Sequence, residues 1–246
     1  MANWSDPRMT AGAAAPSLGA RDAAYDAGLR SYMLSVYNYM ASAVLLTGIV
    51  AMVFASSGFA AQVLNTPLKW LIMLAPLGFV FALSFGINKM STATAQAVFW
   101  AFAVVMGLSM SSIFLVYPST SIAQAFFATA AAFAGLSLFG YTTKKDLSGM
   151  GSFLIMGVVG LIVAMLLNAF VFKSGVMGLA ISALGVLIFA GLTAYDTQTI
   201  KTNYIAHAQS MDSEWLGKSA IMGALNLYLD FINMFMFLLQ FMGNRE

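Results

Sequence analysis

The sequence predicts an all-α membrane protein with seven transmembrane helices, and three observations carry that prediction. Of 246 residues, 61% are apolar and 8% charged, where a soluble domain carries about 25% charge. The apolar residues fall in long blocks rather than at scattered core positions, and 11 basic and 9 acidic side chains are too few to coat a globule of this size. The blocks do not alternate in polarity over segments of about ten residues, which excludes a spanning barrel.

Residues 1–30 are polar and Ala-rich, with Pro7, Pro16, Arg8, Arg21 and Arg30. They are expected to form a flexible cytoplasmic arm. No apolar core of a secretory signal occurs among them, so the first span is expected to direct its own insertion. A seven-helix domain then covers 31–243, and 244–246 form a short tail.

Spans are expected near 32–56, 68–87, 93–116, 121–142, 150–172, 175–200 and 219–242, each approaching or exceeding the roughly 20 residues that cross a bilayer core. The separators carry turn signals: Asn65-Thr66-Pro67, Asn88-Lys89, Tyr117-Pro118, Lys144-Lys145-Asp146, Lys173-Ser174-Gly175, and a polar loop from Lys201 to Lys218. With the amino terminus cytoplasmic, that side collects 8 of the 11 basic residues: Arg8, Arg21, Arg30, Lys89, Lys144, Lys145, Lys201 and Lys218. The positive-inside rule therefore predicts a cytoplasmic amino terminus.

Composition removes several functions. Without cysteine there is no disulfide, iron–sulfur or thiol chemistry, and the single histidine, His207, cannot build a His-rich metal site. A net charge of +2 gives no reason to expect nucleic acid. No cofactor is expected. Small residues in the fourth span (Ala130, Ala131, Ala132, Ala134, Gly135) and the fifth (Gly157, Gly160) read as helix packing. The 18 Met and 20 Phe read as core and lipid-facing filler.

Seven of the nine acidic residues lie in tails or loops; only Asp196 and Asp230 sit inside apolar spans. A charge at bilayer depth costs at least about 2.5–3.5 kcal/mol, which marks both as functional candidates. Thr193 and Thr199 share a helix face with Asp196, and Asn226 and Asn233 one with Asp230, as supporting polar residues. If the sixth helix continues to about His207 and the seventh starts near Ser219, each aspartate lies about 11 residues, or roughly 16 Å, from the same end, and the two can meet. Such carboxyl groups share a proton and titrate as a pair. Protonated, the pair pins the sixth helix to the seventh; doubly ionised, it repels itself and admits water or a hard cation such as calcium, for which Asp196 and Asp230 are the candidate ligands.

Three segments resemble the transmembrane Bax-inhibitor-motif family. They are Gly140-Tyr141-Thr142-Thr143-Lys144-Lys145-Asp146-Leu147 with Gly149 to Leu154, Gly191-Leu192-Thr193-Ala194-Tyr195-Asp196-Thr197-Gln198, and Asn226-Leu227-Tyr228-Leu229-Asp230-Phe231-Ile232-Asn233. The resemblance spans roughly 30–243. It implies a central seventh helix wrapped by the other six, and a pH-dependent calcium leak governed by Asp196 and Asp230. Family members can carry a basic residue late in the second helix that contacts the pair. Gly86 stands there in this chain, and Lys89, one turn later, is the candidate basic partner. Bacterial relatives are also connected with a membrane-bound protease as modulators, which makes a non-transporting role beside such a complex the alternative reading. A bacterial inner membrane is the expected location, with lipid, protons and calcium ions as partners.

Enzymes fit poorly. An intramembrane aspartyl protease would show Gly-x-Gly-Asp where this chain has Leu227-Tyr228-Leu229-Asp230, and a Pro-Ala-Leu motif that is absent. A retinal protein needs a lysine within 219–242, and there is none. His207 lies at a helix end, away from the membrane depth that a Ser–His dyad requires.

Overall fold

The computed structural model describes residues 18–207 and 212–243. Seven long helices span the bundle: α1 (Leu18–Ser56), α2 (Leu68–Gly86), α3 (Thr92–Met110), α4 (Ser119–Thr142), α5 (Ser148–Leu167), α6 (Gly175–His207) and α7 (Ser213–Met242). Each, with its short extensions, is long and apolar enough to cross a membrane. No strand occurs among the described residues.

The boundaries depart from expectation in three places. Leu18 to Arg30, assigned by sequence to the arm, continues α1, because after Pro16 this stretch is free of proline and rich in alanine, the best helix former; residues 1–17 lie outside the described residues. The third span breaks at Ser111 and resumes as a single turn, Ile113–Val116. There the Ser111 and Ser112 hydroxyls donate back to the carbonyls of Leu108 and Ser109, a local bond that competes with the helix ladder. The seventh helix starts at Ser213 rather than near Ser219, since the Asp212 carboxylate accepts from the Trp215 amide at 2.8 Å and caps it. Glu214 in the first turn then pairs with Lys218 at 2.9 Å. The continuation of α6 to His207 is as the spacing predicts. The tail 244–246 lies outside the described residues.

α7 is the central helix: 67% of its most apolar stretch is buried, against at most 33% in any other span. It packs on α1, α3, α4 and α6, while α2 lies outside against α3, and α5 outside against α6. The outer faces carry exposed Leu45, Phe85, Phe127, Phe153 and Leu187, as a lipid-facing surface requires.

Close helix approach depends on particular small residues. A Cβ at Gly140 on α4 would fall on the Ala194 carbonyl of α6, and one at Gly107 on α3 would come within 2.8 Å of the Thr47 carbonyl of α1. Gly157 packs similarly on Ile188. Gly135 and Gly160, by contrast, have nothing within 4 Å of a built Cβ, and Ala131, Ala132 and Ala134 are exposed. Part of the small-residue pattern therefore faces outward.

Candidate functional site

α6 and α7 form an antiparallel hairpin whose facing residues run in step. His207 meets Trp215 with ring centroids 5.2 Å apart, Ile200 faces Gly223, Phe189 stacks on Phe237 at 5.9 Å, and Ser182 donates to Gln240 at 2.9 Å. This register sets Asp196 opposite Asp230. The two carboxyl groups are near enough to act on each other, and two carboxyl groups in contact hold together only by sharing a proton. Asp230 is 4% exposed, and its Oδ2 has no partner among the described residues. Asp196 is half-buried.

The residues expected to support the pair are placed differently from one another. Thr193 is fully buried and donates to its own helix at Phe189 O (2.8 Å). Asn233 is half-buried and donates to Leu229 O (2.8 Å). Thr199 is half-buried and Asn226 exposed. Lys89 is exposed at the end of a short turn, Ile87–Lys89, that follows α2, and α2 packs on α3 rather than on α6 or α7.

Other polar groups along α6 and α7 and in the α4–α5 connection make bonds that the sequence does not single out. The buried Thr197 hydroxyl bonds Ser137 of α4 at 3.2 Å, tying α4 to α6 one residue beyond Asp196. Two residues before Asp230, the buried Tyr228 hydroxyl bonds Thr47 of α1 at 2.7 Å, and Thr47 donates to Ala103 O of α3 at 2.9 Å. Gln198 straps the α4–α5 connection onto α6: its Oε1 accepts from the Leu147 amide and its Nε2 donates to Lys145 O, both at 2.8 Å. Lys201 donates to Tyr141 O at 2.7 Å and lies 4.9 Å from that ring's centroid. In the connection itself, the Asp146 carboxylate accepts from the Ser148 amide and hydroxyl. These two bonds hold its carboxyl below the usual aspartate range.

A central helix ringed by others, with two carboxyl groups facing each other inside the spans, defines a polytopic membrane protein that keeps ionisable groups within its bundle. Residues 29–246 match the family described as Inhibitor of apoptosis-promoting Bax1, and the chain belongs to this Bax inhibitor family. It is 44% identical over 222 residues to the inner membrane protein YbhL of Escherichia coli K12, covering 89% of this chain and 94% of that one. An uncharacterized protein of Rickettsia prowazekii is 44% identical over 223 residues (90% and 93%). An uncharacterized membrane protein of Streptococcus pyogenes serotype M3 is 33% identical over 225 residues (90% and 96%).

Proposed function

We propose that this protein is a pH-sensitive, calcium-permeable leak in which the Asp196–Asp230 pair is the gate. The observation that carries the reading is the pair's placement: the register of α6 on α7 sets two carboxyl groups opposite each other inside the spans, with one oxygen of Asp230 buried and unpartnered among the described residues. A shared proton holds the two helices together. Its loss leaves two negative charges in contact, which repel and draw in water or a hard cation. Among the described residues no group of three or more acidic or histidine side chains could hold a metal. Two carboxylates supply only part of the six to eight oxygens calcium takes, which suits a passing ion better than a stored one.

The test is calcium flux into vesicles reconstituted with the purified full chain, across about pH 5 to 8. Flux is expected to rise with pH as the pair ionises. Asp196→Asn and Asp230→Asn should each flatten the response. Flux that ignores pH would remove the gate and keep the pore. A chain that passes no calcium at any pH, yet co-purifies with a membrane protease, would put the non-transporting modulator in its place.

A further inference from the structure

We infer that the cleft between α1 and α4 holds one anionic glycerophospholipid, its acyl chains against α7 and its phosphate at Arg30. α1 and α4 both pack closely on α7 and far less on each other. The gap between them is a cavity of about 770 Å³ whose inner wall includes Phe231 of α7. A second cavity of about 360 Å³ continues it, sharing Val44, Phe126 and Phe231. The rims are exposed and apolar, with Leu34 and Leu45 on α1 and Leu138 on α4, so the cleft opens sideways into the bilayer.

Its chemistry is one-sided. The residues lining the larger cavity are apolar except Arg30, Tyr37, Ser137 and Tyr141, which lie toward the end where α1 begins. Arg30 is exposed, and the ion pair found among the described residues joins Lys218 to Glu214, not Arg30 to Asp26 one turn before it. On the opposite wall Tyr141 carries the ammonium of Lys201 over its ring. Among the described residues no carboxylate lines either cavity. A cation at the mouth, a second one behind the facing wall and an apolar shaft below them complement a phosphate on hydrocarbon chains. Length agrees. From Arg30 to Val44 a helix rises about 21 Å, close to the roughly 20–22 Å of one leaflet with its headgroups.

The inference does not depend on the aspartate gate. The purified full chain, stripped of endogenous lipid, would be titrated with phosphatidylglycerol or phosphatidylcholine and read by native mass spectrometry. One retained phosphatidylglycerol per chain is expected, preferred over phosphatidylcholine by about five-fold, the worth of one basic residue against an anionic lipid. Arg30→Gln should abolish the preference while leaving chain-dependent retention. Ala134→Trp and, from the facing wall, Ala41→Trp should fill the shaft and remove both lipids; using both walls guards against misfolding of either variant. Equal retention of the two lipids by the unmodified chain would overturn the proposal, as would undiminished binding in both tryptophan variants. So would a dimer that resists lipid and is lost in those variants, which would make a second copy the occupant.

Discussion

The Tyr228 hydroxyl donates to Thr47. Thr47 spends its own proton on the Ala103 carbonyl 2.9 Å away, so across the 2.7 Å contact it can only accept. One chain of hydrogen bonds thus joins α7, α1 and α3 two residues before Asp230 and fixes the rotation of the central helix. The direction of donation makes the two deletions unequal. Tyr228→Phe leaves Thr47 still donating, and should cost about 0.6–1 kcal/mol. Thr47→Val strands the Tyr228 hydroxyl in the core and should cost about 1–3 kcal/mol. Thermal unfolding of both variants in one detergent checks the order, and a Tyr228→Phe protein that is the less stable of the two would refute the assigned direction.

Gly140 governs the approach of α4 to α6. A methyl group there meets backbone, the Ala194 carbonyl, which cannot swing aside as a side chain does. Gly140→Ala is expected to force the helices apart and destabilise by about 1–3 kcal/mol. Gly135→Ala, five residues earlier in open space, should be neutral or stabilising by about 0.5–1 kcal/mol through helix propensity. Because Ala194 lies two residues before Asp196, the Gly140 variant should also alter any pH-dependent flux, and Gly135→Ala should not. Equal melting temperatures for the two variants would count against the crossing described.

The contrast between these glycines shows where the sequence becomes silent. Span number is legible because the apolar blocks are long enough to cross a bilayer, and Asp196 and Asp230 stand out because charge inside such a block is costly. Helix rotation is not legible. In a uniformly apolar span the 3.6-residue period marks no inner face, so Thr197, which bonds Ser137, could not be told from Thr199, which is half-buried. Tyr228 and Thr47 are ordinary residues in such spans and reveal their bond only once α1 and α7 are packed. The α7 start was misplaced because Asp212 reads as loop polarity until its carboxylate is seen to accept the Trp215 amide.

Asp146 offers a pH dependence with a definite sign. Its folded carboxyl is held below the ordinary range by the Ser148 hydroxyl and amide, so the ionised form is the one that supports the start of α5. The contribution is complete above the unfolded value of about 3.9 and is lost as pH falls through the lower folded value. Asp146→Ala should therefore melt below the unmodified protein at neutral pH, with the difference closing under strong acid. At neutral pH, faster amide exchange at Ser148 in the variant is expected too. A melting difference that widens on acidification would contradict this account.

The hairpin register can be trapped covalently. Gly223 lies where a built Cβ comes within 3.2 Å of Ile200 Cγ1, compatible with the Cβ separation of about 3.5–4.5 Å that a disulfide needs. The chain contains no other cysteine, so an Ile200→Cys, Gly223→Cys double variant can form only this internal bridge. Mild oxidation should close it in nearly every molecule. A slip of one residue or one turn between α6 and α7 would carry the thiols out of range and also take Asp196 away from Asp230. The oxidised protein is expected to lose pH-responsive calcium flux and to recover it on reduction, because the bridge sits one helical turn from Asp196 and resists the separation that ionisation drives. Efficient bridging with flux unchanged would keep the register and require the ion to pass without parting these helices.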